Sequence, residues 1–158
     1  MTTERTTLIA ILEEAFRSRS WHGTNLLGSI RGMRPDASTW RPGPGRHNCW
    51  ELVVHCAYWK YAVTRRLTGE KRGSFPLSGS NWFRRSGGPP AALRQDVRLL
   101  VACHEALLAA AGALPDRKLR WHPGNGRFTA AELLRGAAAH DLYHAGQIQL
   151  IKRLHAGG

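Results

Sequence analysis

His140 and His144 stand four residues apart in the segment HDLYHAGQ. On a helix that spacing puts both side chains on one face, a turn apart, where two imidazoles can reach a single ion. The stripe they share with Leu133, Ala137, Gln147, Ile148 and Ile151 is mainly apolar, so the pair is expected to point inward. Eight histidines in 158 residues make one such pair an ordinary coincidence, and alone it carries little weight. His55 adds to it. It shares an apolar stripe with Leu52, Trp59, Ala62 and Val63, and a buried imidazole needs a partner for each ring nitrogen or a metal. Three neutral imidazoles converging on one point leave coordination positions open, the pattern of a catalytic rather than a closed structural metal site. Such a donor set suits a divalent ion, with zinc or nickel foremost.

Chain geometry nominates neighbours for His55, His140 and His144. His22 precedes the first connection by about as much as His55 follows it, so it could reach the pocket or simply accompany a kink at Gly23. Glu51, one turn before His55, could orient that ring or take a proton, although a helix cap explains it without chemistry. Trp59 could wall the site, and Gln147, three residues after His144, could hydrogen-bond near the metal. His104 also lies on an apolar stripe and reads as a core histidine; Cys56, adjacent to His55, cannot face the same ion and reads as a packed thiol.

Helices must position these residues. Thr3 to about Arg19 carries Leu8, Ile11, Leu12, Ala15 and Phe16 at helical spacing, stumbles at Trp21-His22-Gly23, and resumes through Leu26, Leu27 and Ile30. One kinked helix, or two pieces on one axis, is expected. After a connection through Gly32, Pro35 and Pro42–Gly45, Asn48 with Glu51 reads as a capping box opening a second helix to about Leu67. The stretch from Gly73 to Pro90 holds 11 Gly, Pro or Ser in 18 residues and reads as a long crossover without an element of its own. A third helix begins near Pro90 and runs to about Ala111, with Leu93, Val97, Leu100, His104, Leu107 and Leu108 on one face. Thr129 with Glu132 is a second capping box, opening the last helix through about Leu154. No strand alternation and no repeat is visible. The expected fold is all-α: a single domain over residues 1–158, a four-helix bundle with a long crossover between helices two and three.

Composition agrees with one globular domain. Hydrophobic residues make up 42% and charged residues 22%, which excludes a disordered or collagen-like chain. The net charge of +12 invites a nucleic-acid partner, but the cations run from Arg5 to Arg153 with no run longer than two, and 19 of the 23 are Arg. Scattered cations without a reading motif speak against that partner. No 18-residue apolar run exists for a membrane span, and MTTERTT lacks the cationic start and apolar stretch of a secretory signal, so a cytoplasmic protein is expected. Three cysteines, Cys49, Cys56 and Cys103, without a CxxC pair, read as free thiols.

The segments WELVVHCAYWKYAVTRRL and AAHDLYHAGQIQLIKRL resemble the DinB-like superfamily of bacterial metal-binding four-helix bundles. The shared pattern is one histidine on helix two and H-x-x-x-H-x-G-Q on helix four, which falls on His55, His140 and His144, with Gly146 and Gln147 completing the second motif. The resemblance implies an up-down-down-up bundle, a divalent metal on the three histidines, and frequent homodimers. It also implies relatives that are thiol S-transferases using bacillithiol or mycothiol, or a mycothiol-dependent maleylpyruvate isomerase. Trp21-His22-Gly23 and Asn48-Cys49 depart from the simplest family pattern. The function expected is therefore a metal-dependent enzyme of the thiol S-transferase kind, acting on a small molecule with a low-molecular-weight thiol. Metal-assisted hydrolysis and a non-enzymatic stress-related binding module are the alternatives.

Overall fold

The computed structural model describes residues 3–157. Every regular element among them is helical: α1 (Glu4–Phe16), α2 (Leu26–Ile30), α3 (Pro35–Thr39), α4 (Cys49–Thr68), α5 (Pro90–Ala113) and α6 (Ala130–Gly157), with short 3-10 turns at Asp116–Lys118 and Pro123–Asn125.

Local chemistry sets the ends of the long helices. Asn48 Oδ1 accepts the Glu51 amide at 2.9 Å to start α4, and Gly69, at φ 80°, takes the left-handed conformation that stops it. Only half of the expected box forms there, because the Glu51 side chain is used elsewhere. At α6 the box is reciprocal: Thr129 Oγ1 accepts the Glu132 amide at 3.2 Å, and Glu132 Oε2 accepts the Thr129 amide at 2.8 Å. Pro90 opens α5 at a position where its missing N–H costs nothing.

The N-terminal third differs from the single kinked helix expected. α1 ends at Phe16, an exposed turn with Gly23 at φ 96° follows, and Asn25 caps a separate short α2 by accepting the Gly28 amide at 2.9 Å. Asn25 also donates to the Ser18 carbonyl, so a cap within the turn replaces helical continuity. Part of the expected first connection is itself helical, as α3, opened by Pro35. The crossover is not without structure either: Phe83 is buried in it, packed with Trp50, Val54 and Leu93, and Phe75 and Leu77 lie against that group.

Two apolar clusters fill the interior. One joins Leu8, Leu12 and Ala15 along α1, Val63 and Leu67 at the end of α4, Leu107 and Ala111 at the end of α5, and Leu134 and Ala138 in the first third of α6. The other joins Phe16, Leu26, Leu52, Cys56, Leu100 and Ile148. Between them Lys60, His104 and Asp141 form a polar layer, at 2%, 0% and 1% exposure. Lys60 Nζ donates to Asp141 Oδ2 and to His104 Nδ1 at 3.2 Å, and lies 4.7 Å from the Phe16 ring centre. His104 stacks on Phe16 at 3.8 Å. No single helix among the described residues is long and apolar enough to cross a membrane.

Candidate metal centre

α4 and α6 pack against each other and bring His55 opposite His140 and His144. His140 Nε2 lies 3.1 Å from His55 Nε2 and 3.0 Å from His144 Nε2. The other nitrogens of two rings are tied off. His55 Nδ1 is 2.8 Å from the Asn81 carbonyl oxygen, and His144 Nδ1 is 2.7 Å from Gln147 Oε1. A carbonyl oxygen can only accept, so each Nδ1 carries the proton and each neutral ring turns a bare Nε2 lone pair toward the shared point. One proton on His140 Nε2 could serve only one of its two contacts. The other would set lone pair against lone pair, an arrangement that a shared cation resolves. The three rings therefore fit a divalent ion held through Nε2 atoms.

Burial keeps the rings neutral. It pushes His55 down to about 4 and His140 down to about 3, the latter helped by His144, His55 and Lys60. Burial also lowers His144, against the hydrogen bond to Gln147 that raises it. Cys56, His140 and Asp141 approach one another as well, but burial holds the Cys56 thiol well above its usual range, and Asp141 is engaged by Lys60.

A wall of aromatic rings closes one side. Trp82, from the crossover, stacks on His55 at 3.8 Å and on His47 at 3.5 Å, nearly parallel to both. Trp59 stands 6.3 Å from both His55 and His140 and donates to Asn81 Oδ1 at 2.9 Å. Asn81 thus accepts from both His55 and Trp59, in a left-handed conformation (φ 64°) that asparagine tolerates better than most residues. Neither Asn81 nor Trp82 is marked by the histidine pattern in the sequence. The available signal was an Asn-Trp pair interrupting a run of Gly, Pro and Ser.

Of the other residues nominated from sequence, Trp59 and Gln147 lie at the cluster. His22 does not: it is exposed in the turn between α1 and α2 and lines neither of the cavities that His140 and His144 border. Glu51 is buried one turn from His55, but its carboxylate faces Arg41, at 2.5 and 2.9 Å, His47 Nδ1 at 3.0 Å and the Arg85 amide at 3.2 Å. Burial raises that carboxyl, yet Arg41, His47 and Arg85 outweigh it and hold Glu51 down at about 2. It ties the loop and crossover to α4 instead of orienting His55.

Comparison with known proteins gives one result: a model of the DinB superfamily matches residues 19–148. The chain belongs to the DinB superfamily. No curated protein and no solved structure matches it. In this DinB chain the unusual Asn48 has a use that serine lacks: besides capping α4, its amide donates to the Arg85 carbonyl at 2.6 Å, holding the crossover near Trp82.

The buried rings make this DinB fold acid-sensitive. His55, His104 and His140 titrate near 6.5 when exposed and at about 4, 3 and 3 when folded, so below pH 6.5 the unfolded chain binds more protons. Their contribution is complete above pH 6.5 and erodes toward pH 3–4. Asp141 acts oppositely, because burial outweighs Lys60 and raises it to about 6, but the imidazoles outnumber it. Between pH 7 and 5.5 stability of the metal-free protein should fall by about 1 kcal/mol per imidazole, seen as a lower urea midpoint. A midpoint unchanged over that range would contradict it.

Proposed function

We propose that this protein is a metal-dependent thiol S-transferase-like enzyme, with zinc or nickel on His55, His140 and His144 and a low-molecular-weight thiol as co-substrate. The observation that carries this reading is the convergence of three Nε2 atoms, with Nδ1 tied off by Asn81 and by Gln147 on two of the rings. The bound cation would supply a Lewis acid that favours the anionic form of a coordinated thiol.

The chain's own residues do the rest. Asn81 and Gln147 fix the tautomers of His55 and His144, Trp82 covers one face of the His55 ring, and Trp59 holds Asn81 in place through its indole N–H. No cysteine of the chain competes as nucleophile: burial pushes Cys49 and Cys103 up to about 11 and Cys56 higher than its usual range. Hydrolysis would need a proton acceptor beside the ions' ligands. Glu51 is locked to Arg41 and His22 is remote, whereas a thiol ionises close to neutral pH and needs less help.

The same reading includes an up-down-down-up four-helix bundle. It is supported by the first apolar cluster, where the first third of α6 meets the ends of α4 and α5 with α1 packed alongside. A homodimer is supported by Tyr143, Leu150 and Leu154, exposed along one face of α6. A cytoplasmic site of action fits the three free cysteines.

The test is elemental analysis of protein prepared with zinc or nickel, followed by a conjugation assay with a small thiol and a bimane electrophile. The expected result is close to one divalent ion per chain and a conjugation rate that chelation removes. Protein without metal overturns the site; loaded protein without conjugation overturns the transferase.

A further inference from the structure

Beyond the metal ligands, α4 and α6 leave a groove between them with a cavity of about 250 Å³. His140 and Trp59 stand at one end, Val63 and Ala137 in the middle, and Arg66 and Leu133 at the other. Seven residues separate Trp59 from Arg66, and seven separate His140 from Leu133, so the groove is about 10 Å long. Its exposed walls are mostly apolar, and Lys60 and Asp141, which border it from within the core, are buried and paired with each other. Glu132 also borders it, but its carboxylate is occupied by the Thr129 amide and hydroxyl, both at 2.8 Å.

At the Arg66 end the groove meets a second cavity of about 480 Å³, with Arg66, Phe128 and Leu133 common to both. Arg65, Arg72 and Arg127 border this second space with Arg66. None of the four guanidinium groups makes an ion pair among the described residues, although seven arginine–carboxylate contacts occur elsewhere in the chain. Four unneutralised cations around one hollow repel one another, a cost that an anion there removes. Phe128, 49% exposed at the junction, offers apolar surface on the way in.

We infer that this continuous groove and mouth bind an elongated small-molecule anion: a phosphate or carboxylate head among Arg65, Arg66, Arg72 and Arg127, and an alkyl or aryl segment along Val63 and Ala137, directed at His140. That the bound segment is the substrate of the metal centre rests on the function proposed above; occupancy of the groove does not.

Gly136 supplies the decisive variant. It borders the groove within α6, and a Cβ built on it meets nothing within 4 Å, so a large side chain there enters open space without disturbing the helix. Glycine in a helix interior is unfavourable by comparison with most residues, so Gly136→Phe is not expected to unfold the protein. The experiment is calorimetric titration of the full chain, as purified and after chelation, with octyl phosphate below its micelle concentration, inorganic phosphate and 1-octanol. Octyl phosphate should bind at least about tenfold tighter than either control, with or without metal. Arg66→Gln should weaken octyl phosphate about fivefold or more and leave 1-octanol unchanged. Gly136→Phe should reduce octyl phosphate to the level of inorganic phosphate. Octyl phosphate no tighter than inorganic phosphate, or unaffected by Gly136→Phe, overturns the proposal. So does equal binding of anionic phospholipid vesicles by wild type and Gly136→Phe with no binding of monomeric octyl phosphate, which would assign the arginines to a lipid surface. Protein that takes up no zinc or nickel yet still binds octyl phosphate would overturn the metal centre and leave the groove standing.

Discussion

His140→Ala is expected to abolish stoichiometric metal binding while leaving the helical circular dichroism intact. His140 is the ring that both other histidines approach, at 3.1 and 3.0 Å between Nε2 atoms, so its removal leaves His55 and His144 without a common third donor. The loss of affinity should exceed about 100-fold, the upper end of what removal of a supporting hydrogen-bond partner costs. Gln147→Ala provides that comparison. It removes the acceptor at 2.7 Å from His144 Nδ1 and frees the ring to change tautomer, without deleting a ligand. A 10–100-fold weaker affinity is expected there. Competition with a chromophoric chelator measures both. Equal affinities for wild type and His140→Ala would mean that the ion, if bound, sits elsewhere.

The second large effect lies in the polar layer. Asp141→Ala would leave the Lys60 ammonium almost wholly buried, with only His104 Nδ1 and the Phe16 ring beside it. Stranding a buried charge costs about 3–5 kcal/mol, a large part of the 5–15 kcal/mol that holds a typical domain together. The expected melting temperature is lower by roughly 10 °C. The double variant Lys60→Met with Asp141→Leu should recover most of the loss, because an apolar pair carries no desolvation cost. A single variant within about 1 kcal/mol of wild type would show that water reaches Lys60. His104→Leu, which removes the buried Nε2 that has no hydrogen-bond partner, separates the two halves of the network.

Much of the candidate site follows from short-range geometry. The four-residue step from His140 to His144 is converted by any helix into a shared face, and the three-residue step from His144 to Gln147 into a hydrogen bond. The caps at Asn48 and at Thr129 with Glu132 are likewise local, and they start α4 and α6 where the spacing predicts. The break after Phe16 is local too, but the spacing does not reveal it. Leu26, Leu27 and Ile30 keep helical spacing with the residues before the turn, so periodicity hides a change of axis that Gly23 and the Asn25 cap produce.

What the sequence determined by itself was the helical class, the family motif and the face that His140 and His144 share, since these are written in short helical spacings, whereas His55, 85 positions from His140, joins them only through packing. Tertiary structure alone decided which partners those residues received. Asn81 lies 26 positions from His55, Lys60 lies 81 from Asp141, and Arg127 shares a cavity with Arg65 across the interval between two helices. No periodicity links such positions. Their meeting depends on how α4, α5 and α6 slide against one another as the two apolar clusters fill, and on where the crossover is pinned by Phe83 and Asn48. That packing turned a scattered charge of +12 into four arginines around one hollow, and turned Glu51 from a neighbour of the metal into the anchor of a loop.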